Sequence, residues 1–146
     1  LNHITYKGSG PALQALLADQ VNVTFTDIFT AKPFVDSGKL QMLALTSNQR
    51  SALFPQTPTL EEEGVKGVNV NVFFALLAPS GIPEATKNKL SSLSLAVLKS
   101  PGVRNQLESR GLSIPANNSP EDLGAKMKKE TRDWAEVVKV SGASLD

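Results

Sequence analysis

No cysteine occurs in this chain, which excludes disulfides, thiolate nucleophiles and cysteine-based metal sites. Histidine, tryptophan and tyrosine occur once each. The lone histidine, His3, has no serine or carboxylate at a spacing that would make it a general base, and no Gly-x-Ser-x-Gly elbow is present. Without a second histidine or any cysteine, no zinc-type ligand set can be composed. No apolar run reaches the ~20 residues that span a bilayer. Neither sign of charge is in excess: 15 Lys and Arg against 14 Asp and Glu leave a net charge of +1, too little to draw nucleic acid or an anionic membrane by field alone. Repeats at solenoid periods and low-complexity tracts are also absent. The expectation is therefore a protein without catalytic residues, metal, cofactor or nucleic-acid partner.

What is present is the composition of a globular chain, 40% hydrophobic and 20% charged over 146 residues. It opens at Leu1, not Met, directly on a strand-like segment with no signal-peptide pattern. That is read as a fragment or a processed product.

The most informative stretch is Thr5-Tyr6-Lys7-Gly8-Ser9-Gly10-Pro11-Ala12. A β-prone run stops at glycines, and a proline then opens the amphipathic segment Ala12–Leu17. The spacing predicts a strand, a Gly-rich turn and a helix, with Pro11 at the first helical position. Glycine permits positive φ and close approach of a ligand. The unpaired N–H groups of a first helical turn, with the helix dipole, favour an anion such as a carboxylate or phosphate. The turn is no P-loop, because no Gly-Lys-Ser/Thr closes it.

Further along, the pattern predicts strands near residues 3–7, 21–26 and 40–46, alternating with helices near 11–20 and 30–37. Pro33 is read as delaying the second helix to about Thr30, and Gly38 as its stop. Thr59-Leu60-Glu61-Glu62 has capping-box spacing, with Gly64 closing one short turn. Val68–Val72 alternates as a strand and passes into Phe73-Phe74-Ala75-Leu76-Leu77, an apolar run that predicts deeper burial. The last third is helical, opened at Pro83, at Ser100-Pro101 and at Ser119-Pro120. The final apolar stripe of Leu123, Met127, Trp134, Val137 and Val138 is expected to pack in the core or dock on a partner surface. The fold class is α/β, with a mixed or parallel sheet flanked by helices. A composition shift near Ala78–Pro83 divides the chain into an α/β lobe at 1–77 and a helical return at 78–146. Asp27, just after a presumed strand, reads equally as a ligand group and as a helix cap, a task Thr26 and Thr30 share.

Taken together, several segments resemble the tripartite tricarboxylate receptor (Bug) family of extracytoplasmic solute receptors. They are His3–Ala12, Val21–Asp27, Ser37–Leu40 with Leu43–Ser47, Pro58–Gly64 and Phe73–Pro83, and their ordered series covers essentially the whole chain. The resemblance implies one lobe of a two-lobed, periplasmic-binding-protein type II fold, the C-terminal half of a receptor about twice this length. It implies C-terminal helices that pack on the missing N-terminal lobe. The implied ligand is a small organic carboxylate, delivered to membrane components of a transporter, and the implied location is periplasmic. Residue by residue, Gly8, Ser9, Gly10, Pro11 and Ala12 match the loop whose amides meet ligand carboxylate, with Ser9 where glycine is common. Thr26 and Asp27 match a loop that often carries Asp-Asn. Phe73 matches a position near the cleft where tryptophan is frequent. Two other readings accompany this one: a truncated fragment that self-associates as a homo-oligomer and captures nothing, and a small α/β hydrolase.

Overall fold

The computed structural model describes residues 2–142, so the outermost ends of the expected ranges, at 1 and 143–146, lie outside it. Five helices follow in order: α1 (Ser9–Leu17), α2 (Ile28–Asp36), α3 (Glu84–Lys99), α4 (Pro101–Glu108) and α5 (Pro120–Ser141). The chain divides into two units. The first comprises Leu1–Phe74 and a returning segment, Asn105–Ser113; the second comprises Ala75–Arg104 and Ile114–Asp146.

In the first unit, α1 forms from good helix formers (Ala, Leu, Gln) after Gly8. Gly8 has φ 104°, a conformation that Cβ-bearing residues rarely adopt. The helix starts two residues earlier than the sequence pattern predicts, so Pro11 is its third residue and not its first. The proline is still tolerated, because the N–H it lacks would have had no intrahelical partner. α1 ends on Asp19 at φ 56°, a short polar residue in the place glycine often takes.

α2 begins at Ile28, not Thr30, because Asp27 caps it: the Asp27 carboxylate accepts from the Thr30 N–H at 2.8 Å. The cap outweighs the proline, and Pro33 lies inside the helix, where one i→i−4 bond is lost. Gly38, at φ 71°, stops α2 as expected, and the N–H groups of Lys39 and Leu40 close on the Phe34 carbonyl.

The core of this unit is small. Leu13 and Ala15 of α1, Ala31 of α2, Leu45 and Thr59 are its buried residues, with Leu13 only 2% exposed. Thr59 is buried without cost, because its N–H donates to Glu62 and its hydroxyl accepts from the Glu62 N–H, the reciprocal pair its spacing predicted. Gly64, at φ 87°, closes that turn.

The expected strands differ from the structure. Among the described residues no strand forms; one isolated parallel bridge joins Leu45 to Thr59. Leu45 donates to the Pro58 carbonyl and accepts from the Leu60 N–H, both at 2.8 Å. Next to it, Thr46 accepts from the Val70 N–H and donates its hydroxyl to the Val70 carbonyl. These contacts bring the 45–46, 58–60 and 70 regions together at one point, but the pairing does not extend into a ladder. Alternating, β-branched sequence gives a segment a preference, while a strand needs a neighbour that supplies its hydrogen bonds. The residues at 3–7 and 21–26 meet no such neighbour within the described residues. The burial expected at 73–77 is also absent: Phe73, Phe74, Leu76 and Leu77 are all exposed.

The second unit is helical. Pro83 precedes α3, with Glu84 in the first turn and Lys99 in the last, each of the sign the helix dipole favours. α5 has a complete capping box: the Ser119 hydroxyl accepts from the Asp122 N–H while the Asp122 carboxylate accepts from the Ser119 N–H. Two i,i+4 ion pairs, Lys126–Glu130 and Lys129–Asp133, line it. Its apolar stripe is not core: Met127, Trp134, Val137 and Val138 are exposed, and none of the described residues of this unit is buried.

Candidate functional site

The candidate site is the turn that leads into α1. The Gly8 N–H is engaged, donating to the Tyr6 carbonyl at 2.9 Å. Pro11 has no N–H, and the Ala12 N–H begins the helical ladder with a 3.4 Å bond to the Gly8 carbonyl. The N–H groups of Ser9 and Gly10 donate to no acceptor among the described residues. No side chain caps this end of the helix. Gly8, Gly10 and Pro11 are exposed, Ser9 and Ala12 partly so, and a Cβ placed on Gly8 or Gly10 would meet nothing within 4 Å. Two adjacent main-chain donors therefore stand at the positive end of a nine-residue helix in open space.

Asp27 lies beside this turn. Its carboxylate takes the Thr30 N–H and the Thr30 hydroxyl, and the Ser9 hydroxyl lies near enough to favour its charged form. Partial burial pushes the Asp27 acid upward, but the Thr30 hydroxyl and N–H, the Ser9 hydroxyl and its own N–H outweigh that, so it sits below the ordinary Asp value. Asp27 is thus an ionised cap at the start of α2. The hydroxyl of Thr26, the preceding residue, is shut off from solvent and has no hydrogen-bond partner.

The structure therefore brings Ser9 near Asp27, with Gly8, Gly10, Pro11 and Ala12 in the same turn and Thr26 next to Asp27. Phe73 stands apart from that group in sequence, 40% exposed, beside Phe74. The Phe74 ring meets Phe29 edge-on, with centroids 6.5 Å apart and planes at 65°. Sequence reading missed Phe29, Phe74 and one cation. The Arg110 guanidinium lies over the Phe29 ring, 5.9 Å from its centroid. Arg110 comes from the segment that returns to the first unit. Its neighbour Gly111 has φ 89°, and a Cβ there would lie 2.5 Å from Ile28 Cγ2. Nothing in the sequence links positions 110 and 29, because this contact is tertiary. The one local signal is Arg110-Gly111 itself, a basic residue and a glycine closing a helical segment.

No group of three or more His, Asp or Glu among the described residues is placed to hold a metal ion. None of the helices is long and apolar enough to cross a membrane.

The family model described as "Tripartite tricarboxylate transporter family receptor" matches residues 1–142. Protein BugT of Bordetella pertussis is 32% identical over 145 residues, 99% of this chain and 44% of BugT. Among solved structures, R. palustris Rpa4515 with adipate superposes with a TM-score of 0.87 at 30% identity, over 95% of this chain and 46% of that one. The periplasmic binding protein BugD gives 0.87 at 34% identity, over 95% and 47%. MatC from Rhodopseudomonas palustris, with bound malate, gives 0.84 at 31% identity, over 92% and 47%. The chain spans about half the length of the relatives it matches. These relatives are solute-binding receptors, not enzymes, and their architecture is that of periplasmic binding proteins. From residue 1 to residue 142, then, this chain belongs to the tripartite tricarboxylate transporter receptor family.

Proposed function

We propose that this chain is one lobe of an extracytoplasmic receptor that captures a small organic carboxylate and presents it to the membrane components of a tripartite transporter. The observation that carries the reading is the pair of unengaged N–H groups on Ser9 and Gly10 at the exposed start of α1. Charge-assisted bonds from such donors to a carboxylate are among the stronger hydrogen bonds. Gly8 sets the backbone, Pro11 and Ala12 shape the turn, and the enclosed Thr26 hydroxyl offers a further polar group. Asp27 stands near Ser9, and Phe73 supplies an apolar wall. Capture involves no bond making or breaking. Adipate in Rpa4515 and malate in MatC support a carboxylate ligand, and BugD supports a periplasmic location. In the full receptor, the 3–7, 21–26, 40–46 and 68–72 segments complete a mixed sheet, and the exposed stripe of α5 packs on the other lobe.

The test is a titration of the labelled chain with adipate and malate, followed by amide NMR. A lone lobe binds weakly, with Kd of about 1 mM, and the Ser9 and Gly10 amides shift most. Ser9 is the first helical residue, so Ser9→Pro deletes one donor at a position where proline is tolerated. It lowers affinity about tenfold, the order expected for a hydrogen bond to a charged group. Ser9→Ala keeps the N–H and loses only the hydroxyl, so it costs less. Binding that leaves both amides unmoved, or equal effects of the two substitutions, contradicts the reading.

A further inference from the structure

We propose that a second copy of this chain pairs with the first along residues 68–72, strand against antiparallel strand, about a two-fold axis at Val70. The inference goes beyond the carboxylate reading, since no residue of the α1 turn takes part.

Val68-Asn69-Val70-Asn71-Val72 lies wholly in the first unit and reads the same in both directions. One of its edges is already used. The Val70 N–H donates to the Thr46 carbonyl at 3.1 Å, and the Val70 carbonyl accepts from the Thr46 hydroxyl at 2.7 Å. Both main-chain groups of this residue thus point to one side, as they do in an antiparallel strand. The Asn71 side-chain amide donates to the Asn69 side-chain oxygen at 3.0 Å, so these two side chains share a face, the period of extended chain. Alternation then turns the main-chain groups of Asn69 and Asn71 to the edge away from Thr46. There they meet no hydrogen-bond partner among the described residues, and both residues are exposed. An open edge of this kind takes up another strand.

The palindrome and the charge pattern identify the occupant. Setting Val70 opposite Val70 of the second copy sets Asn69 opposite Asn71 on either side of the axis. These are the residues whose N–H and C=O groups face outward, so each opposed pair exchanges two hydrogen bonds. Val70, whose groups are turned to Thr46, falls on the non-hydrogen-bonded position between them. The side chains agree with that register: Asn meets Asn on one face, while Val70 meets itself and Val68 meets Val72 on the other. A slip of one residue sets Asn against Val throughout. The contact is isologous, the form that closes as a dimer. No charged residue occurs between Lys66 and Glu84, the longest uncharged interval in the chain, so two copies meet there without repulsion. Lys and Pro, the residues that commonly block an edge, are absent from 68–72.

The experiment is sedimentation of the chain over a concentration series, with two double variants. The wild type shows a monomer–dimer equilibrium. Asn69→Lys with Asn71→Lys sets like charges opposite each other twice and weakens the dimer about tenfold. Asn69→Lys with Asn71→Glu sets opposite charges face to face in the antiparallel register and restores it. Because the chain has no cysteine, a single introduced thiol gives a second, independent readout under oxidised glutathione. Val70→Cys lies on the axis, with Cα atoms of the two copies about 4.5 Å apart, and crosslinks copy to copy. Val72→Cys stands four residues from its own counterpart, roughly 13 Å along the strand, and leaves its thiol free. A chain that stays monomeric to about 1 mM overturns the inference. So does equal weakening by the two double variants, a failure of Val70→Cys to crosslink, or crosslinking of Val72→Cys as fast as Val70→Cys. Each of these leaves the carboxylate reading as it stands.

Discussion

At the scale of single residues, Asp27 decides where α2 begins. Asp27→Ala removes the cap and costs about 1 kcal/mol, read as a lower urea midpoint, with α2 amides exchanging faster. The pH dependence follows from the direction of the Asp27 shift. An acid whose folded value lies below its unfolded value binds protons more readily when unfolded. Its contribution is therefore complete above the ordinary Asp value of 3.8 and is lost as the pH falls through the lower folded value. The difference in urea midpoint between wild type and Asp27→Ala is thus constant near neutrality and shrinks in acid. A difference that instead widens in acid would show that the carboxylate is not stabilised by its partners. The two sides of this residue were unequally legible. The capping of α2 is written in local sequence, since an Asp three residues before Thr30 needs only a helix after it. The approach of Ser9 to Asp27, and of Arg110 to Phe29, depends on how distant segments pack, and no local pattern encodes that.

Among the elements, the helices read from local pattern form, while the expected strands do not form among the described residues. A helix satisfies its own hydrogen bonds, so Gly38 after α2, Pro83 before α3 and Ser119 before α5 act wherever the rest of the chain lies. Pro33 misled because its interior position is tolerated once Asp27 has set the start. A strand takes its hydrogen bonds from elsewhere, and the alternation at 21–26 or 68–72 carries no information on whether that partner is present. α5 is the extreme case of local control. Its 22 residues include no buried side chain, so capping and i,i+4 pairs carry it. Lys precedes the acid in both pairs, the weaker orientation. Ser119→Ala then removes about 1 kcal/mol of local stability. Amide exchange in the first turns of α5 rises about fivefold, while amides of α1 and α2 keep their rates. Protection lost equally in both units would mean that α5 is stabilised by packing after all.

For the molecule as a whole, surface is the dominant quantity. The chain exposes 11442 Å² at 15.6 kDa. A compact monomer of that mass exposes about 7,300 Å², and two separate compact bodies of half the mass about 8,700 Å² together. The excess over either figure is at least the size of a typical protein–protein interface. Much of it is apolar, including Phe25 at 80% and Val140 at 88% exposure. Because the denaturant slope follows the surface newly exposed on unfolding, the urea m-value falls below that of a compact 146-residue domain. The same surface favours self-association, the alternative reading of this chain, and light scattering across a concentration series separates the two. A monomer with a full-sized m-value would show that the exposed apolar residues are covered in solution.

The route of the backbone has a consequence for biosynthesis. The polypeptide leaves the first unit after Phe74, comes back at Asn105 and departs again after Ser113. A ribosome that has released the chain only as far as Phe74 has not yet delivered the glycine that seats on Ile28 and Leu53. That half of the molecule therefore closes late in translation, after α3 has already emerged, and a nascent chain arrested before Ser113 is left with an open flank for chaperones and proteases to find.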